Sequence, residues 1–146
     1  YGIAVNAVSR AQAFVRAAAR KSPGVAPPGA LRLAEASNLL QLVKSNTIAG
    51  LKEYEAAKAD PDRLSSMGFA VAMNNVKVAS SETILAIINQ AMLIVGIMGY
   101  KNGTPFSLGR HLRDAHSAQL MISNDRILGN TSNLLLVHKQ DTSLIG

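Results

Sequence analysis

A chain of 146 residues is long enough to bury one hydrophobic core and too short for two, so a single domain over residues 1–146 is expected. Apolar residues make up 48% and charged residues 16%, which excludes a disordered chain and points to a surface partly hidden in something larger. The net charge of +6 comes with only 4% aromatic residues, against a nucleic-acid module, and the lack of cysteine rules out disulfides, thiolate nucleophiles and Cys-ligated zinc.

The chain begins at Tyr1, without a Met or the pattern of a signal peptide, and so reads as a fragment or processed piece with a cytoplasmic location expected. A first helix is predicted over residues 3–21. It ends at the turn residues Ser22-Pro23-Gly24 and Pro27-Pro28-Gly29. The second, over 30–59, carries Leu31, Ala34, Ala36, Leu39, Leu42, Val43, Ile48 and Leu51 at three- and four-residue steps, the spacing of one helix face. Asp60-Pro61-Asp62 separates it from a third helix over 62–98, apolar almost all round from Ile84 onward. Asn89 and Gln90 in its middle favour a buried helix over a membrane span. After Lys101-Asn102-Gly103-Thr104-Pro105, a fourth helix is predicted over 107–137, with Ser107 as N-cap and Leu112, Ala115, Leu120, Ile122, Ile127, Leu128, Leu134, Leu135 and Leu136 as its apolar residues. Long helices joined by short turns favour antiparallel neighbours, so an all-α, up-down-up-down four-helix bundle is the expected fold.

The chemistry-bearing residues are few. Residues 1–34 contain Arg10, Arg16, Arg20, Lys21 and Arg32 but no acid. Arg20 and Lys21, at the end of the first helix, suit either a phosphate-bearing ligand or the helix dipole, and spacing alone favours the dipole. His111 and His116 stand roughly 140° apart around a helix and cannot share a metal, so no metal site is expected. Arg110 and Asp114 form an i,i+4 pair. Gly96 and Gly99 permit either a helix stop or close approach of a ligand to the backbone.

Taken in order, Arg20-Lys21-Ser22-Pro23-Gly24, Val95-Gly96-Ile97-Met98-Gly99-Tyr100 and Leu112-Arg113-Asp114-Ala115 resemble the C-terminal helical domain of the acyl-CoA dehydrogenase flavoproteins. In that family an Arg-Lys-x-Phe-Gly turn ends the first bundle helix, Gly-Gly-x-Gly-Tyr/Phe ends the third, and Arg-Asp-Ala opens the fourth. The resemblance spans residues 16–136 and implies a larger enzyme with upstream helical and β-domains, a homodimer or homotetramer, and FAD bound between domains and subunits. It also implies FAD contacts at Arg20, Ser22, Gly96, Gly99, Asn124 and Arg126, and it tips Arg20 towards the anion-binding reading.

The departures from the family pattern matter as much. The glutamate that serves many members as base falls nine residues beyond Arg113, where Ile122 stands, and isoleucine cannot take a proton. Pro23 replaces the Phe, Ile97 the second Gly and Leu93 a flavin-facing Gln, and the loop before Arg113 is two residues longer than usual. Some relatives carry the base on the first helix of this domain, upstream of Tyr1, so no catalytic residue is assigned in this chain. Asp125 is read as a surface or capping residue.

The leading expectation is α,β-dehydrogenation of an acyl thioester of CoA or a carrier protein, in fatty-acid or secondary metabolism, with a base taking the α-proton while flavin N5 accepts the β-hydride. An electron-acceptor flavoprotein is a possible partner. A related flavin monooxygenase using His116, and a non-catalytic helical assembly module, are the alternatives.

Overall fold

The computed structural model describes residues 1–143, and among them every regular element is a helix. The order is α1 (Gly2–Lys21), α2 (Ala30–Ala57), α3 (Pro61–Leu64), α4 (Met67–Val95), α5 (Ile97–Tyr100), α6 (Gly109–Leu120) and α7 (Asn124–Leu135). Cross-contacts fix the directions. Asn46 on α2 reaches Ser80 while Arg32 reaches Gln90, so α2 and α4 are antiparallel. Gln119 and Asn124 meet Ser81 while Thr131 meets Asn74, so the α6–α7 arm is antiparallel to α4. His111 meets Asn6 and the Ser107 carbonyl accepts from Arg10, so α6 is antiparallel to α1. The result is the expected up-down-up-down bundle, with α6 and α7 sharing the fourth position and α4 touching α1, α2, α6 and α7.

The core gathers at one end of α4. Ile84, Ile87, Ile88, Ala91, Ile94 and Val95 pack against Ala4, Ala7, Val8, Ala11 and Val15 of α1, Ala36 and Val43 of α2, Leu108, and Ala115 of α6. Alanines on α1 let that helix lie close to α4, while the isoleucines of α4 fill the space between. Phe14 and Phe106 close the core edge-to-face, with ring centroids 5.3 Å apart.

On α2 the buried positions are Ala36, Val43, Gly50 and Ala57, one every seven residues; Ala36 and Val43 belong to the predicted face, and Leu39 of that face packs partly buried against the core, but its other large residues do not. Leu31, Leu42, Ile48 and Leu51 are exposed instead. The cause is close packing: a Cβ on Gly50 would meet the Val76 methyls at 3.1 Å, so the seam with α4 accepts only small side chains there.

Three boundaries differ from the sequence reading. The predicted third helix is interrupted, because Asp60 caps the single turn α3 by accepting from the Asp62 and Arg63 amides, and Ser66 then caps α4 by accepting from Phe69. The fourth helix opens one residue late: Ser107 is not its N-cap, because the Leu108 amide donates to the Gly99 carbonyl at 2.8 Å and the Leu108 side chain is fully buried. That helix is also broken at 121–123, so Leu120, Ile122, Leu128, Leu135 and Leu136, assigned to its apolar residues, are exposed. α4 is long and apolar enough to span a membrane by length and composition alone, and in the bundle it is the central helix.

Candidate functional site

Arg20 occupies the last turn of α1 and Ser22 is its C-cap residue; both are exposed. The Ser22 amide donates to the Ala19 carbonyl and the Val25 amide to the Ser22 carbonyl, building a tight turn in which Gly24 takes φ +83°. Among the described residues the Arg20 guanidinium has no hydrogen-bond or ion-pair partner, so its five donors are free for an anion.

The two candidate glycines have separate physical explanations. Gly96 stops α4 with φ +63°, a conformation that disfavours any side chain, although a Cβ there would meet open space. Gly99 is buried, and a Cβ on it would lie 3.1 Å from Met92 Sδ and 3.4 Å from Val95 Cβ. Internal packing therefore accounts for Gly99, whereas the backbone at Gly96 is open to approach. Leu93, Ile97 and Tyr100 around this stop are exposed apolar side chains. Because α1 and α4 run parallel, the Arg20 turn and the Gly96 stop lie towards the same end of the bundle.

Asn124 and Arg126 lie elsewhere. Asn124 faces Ser81, 15 residues before Gly96 on α4, a separation of about 22 Å along the helix. Its side chain is buried and engaged within the chain: Nδ2 donates to Ser81 Oγ at 3.0 Å, and Oδ1 accepts from Lys77 Nζ. Arg126 is exposed and lines a groove with Ile122, Ile127 and Asn130. The chain by itself thus places the sequence-derived residues in two groups, Arg20, Ser22, Gly96 and Gly99 in one, Asn124 and Arg126 in the other.

Ile122, which the motif spacing set against the family's glutamate, sits in the α6–α7 break, 61% exposed beside the still more exposed Leu120 and Met121. Asp125 stands in the first turn of α7, where a carboxylate complements the helix N-terminus. His116 is exposed on α6.

Two polar groupings escaped the sequence reading. Asn74, Lys77 and Ser81, at helical three- and four-residue steps on α4, face α7, and that spacing was the available signal. Across the bundle, Asn6 Oδ1 accepts from Arg10 Nε at 3.0 Å and meets His111 Nε2 at 2.8 Å. The shared carbonyl makes Nε2 the protonated nitrogen and leaves the buried His111 Nδ1 without a donor. Burial and then the neighbouring Arg10 hold the His111 pKa below the usual histidine value.

These features meet in one class of protein, a helical bundle domain with a free cationic turn and a glycine stop at one end. The sequence model of the acyl-CoA dehydrogenase C-terminal domain matches residues 1–130, and the chain belongs to that family. The family supports a flavin acyl-CoA dehydrogenase-like, oxidoreductase role. No curated protein sequence and no solved structure matches the chain.

Proposed function

We propose that this chain is the C-terminal bundle of an FAD-dependent oxidoreductase acting on an acyl thioester, working with upstream domains and with further copies of itself. The observation that carries the reading is the family match over residues 1–130 together with the unpartnered Arg20 guanidinium at the bundle end that also holds the open Gly96 backbone. An exposed fork of N–H donors fits a diphosphate, with the Ser22 hydroxyl two residues on as a second donor. Gly96, exposed and without a side chain, leaves room for a ligand to approach the main chain. Arg126 is exposed and fits the same anionic group from a second copy, whereas Asn124 serves the site by holding the turn that presents Arg126.

FAD, when bound, supplies a two-electron acceptor for the carbon β to the thioester. The residues of this chain bind and exclude water; at the α6–α7 break Ile122 has no basic group to take the α-proton, and Asp125, in the first turn of α7, is read as complementing that helix's N-terminus. The base for dehydrogenation then comes from outside this chain. Exposed apolar side chains on α2, around Gly96 and at the α6–α7 break mark the surfaces that upstream domains, partner copies and substrate cover.

A monooxygenase is the second reading, favoured by the pairing of an apolar Ile122 with the exposed His116 six residues before it. Anaerobic visible spectra of the intact protein separate the readings. A flavin band that bleaches with an acyl thioester supports dehydrogenation, and one that stays oxidised with every thioester moves the reading to oxygen chemistry. A preparation with no flavin leaves an assembly module. Replacing Arg20 by Ala should lower flavin retention, and unchanged retention would remove Arg20 from the site.

A further inference from the structure

In a continuous helix the Arg126 amide would donate to the Ile122 carbonyl, four residues back. Here it donates to Ser123 Oγ at 3.4 Å, and Ser123 takes an extended ψ of 125° that stops the helix from running through. The break therefore orphans the Ile122 carbonyl. Lys77 Nζ, reaching across from α4, donates to that carbonyl and also to Asn124 Oδ1. One turn further along α4, Ser81 Oγ exchanges hydrogen bonds with Asn124, and the Ser81 carbonyl accepts from Gln119 Nε2 at 3.3 Å. Both sides of the break are thus pinned to one stretch of α4. The apolar knuckle of Leu120, Met121 and Ile122 is left pointing outward, with Met121 85% exposed.

We infer that Lys77 is a positioning residue: through the Ile122 carbonyl and Asn124 it locks the α6–α7 break, so that the Met121–Ile122 knuckle forms a fixed apolar wall for the acyl thioester. The use of the wall rests on the functional reading above; the lock itself rests only on the contacts. A lysine suits the task because an ammonium carries several donors on a long apolar stem and satisfies two acceptors at once. Its strength comes from being charge-assisted: a neutral donor at the same place would hold the carbonyl less firmly.

The test uses the full-length protein with Lys77→Met, Lys77→Arg and Asn124→Leu. Backbone amide exchange over residues 121–127 should quicken in Lys77→Met and return towards the parent rate in Lys77→Arg, which retains the charged donor. With a thioester that the protein turns over, Lys77→Met should raise KM by about tenfold with kcat, per bound flavin, little changed. Unchanged exchange in Lys77→Met would overturn the lock. Faster exchange with an unchanged KM would overturn its role in forming the wall. A flavin-free protein with faster exchange would keep the lock and sink the oxidoreductase reading instead. Asn124→Leu adds an independent check: because Lys77 and Asn124 share one contact but each also holds the break separately, the double variant should quicken exchange by less than the two single effects combined, and full additivity would mean that the two do not act on the break together.

Discussion

The two ends of α4 hold their neighbours in different ways. Residues 84–95 meet α1 and α2 mainly through the apolar packing of Ile87, Ile88, Ala91 and Ile94, with directional contacts only at the exposed edge, where Gln90 accepts from Arg32 and donates to Glu35. Residues 74–81 meet α6 and α7 through Asn74, Lys77 and Ser81, each aimed at a particular atom. Apolar packing supplies most of the free energy and is tolerant of small shifts, whereas a buried polar seam supplies register and is intolerant of them. The fourth helix is accordingly broken at the polar seam, where the broken turn can be held in a defined place.

The difference can be broken by mutation at either end. Ile87→Ala or Ile88→Ala removes a fully buried side chain and should destabilise the intact protein by about 2–5 kcal/mol, read from denaturant unfolding; a cost under 1 kcal/mol would mean the core is elsewhere. Asn124→Leu leaves Lys77 and Ser81 short of an acceptor and should cost about 1–3 kcal/mol by the same measurement. Gly96→Ala forces a side chain into φ +63° and should cost about 1 kcal/mol even though its Cβ would meet open space, which separates backbone strain from packing.

Two smaller effects sharpen the contrast. Ile122→Glu should shift stability by less than about 0.5 kcal/mol, because the apolar knuckle is exposed and contributes little to folding; thermal melting checks this. His111, whose folded pKa lies below its unfolded value, favours the folded state in its neutral form. Its contribution is complete above the unfolded pKa of 6.5 and is lost as the pH falls through the lower folded value, so the melting temperature should decline on acidification. His111→Gln should flatten that decline, and an equal slope in both proteins would clear His111 of it.

Much of this architecture could be read from the residues. Proline, glycine and aspartate at 22–29, 60–62 and 101–105 punctuate the chain, and α1, α2 and α5 end at those turns. The Arg20 turn, the Gly96 stop and Ile122 in place of a glutamate were equally visible as a motif order. What escaped was the partition of faces. On α2 Leu31, Leu42 and Leu51 of the apparent apolar stripe are exposed while Ala36, Val43, Gly50 and Ala57 are buried, because a helix seam selects side chains by the room available and not by hydrophobicity alone. The polar seam was hidden for a related reason: Lys77 looks like an ordinary solvent cation until its partner, a carbonyl 45 residues away, is in place.

The sequence by itself determined that the chain is helical and where the turns at 22–29, 60–62 and 101–105 fall, since those follow from local propensity and punctuation. Only the tertiary structure decided which apolar residues the core receives, that the fourth helix is broken, and that Lys77 takes the carbonyl the break releases. These depend on contacts between residues distant in the chain, where steric room and the need to satisfy each buried polar group select among patterns that local sequence leaves equivalent.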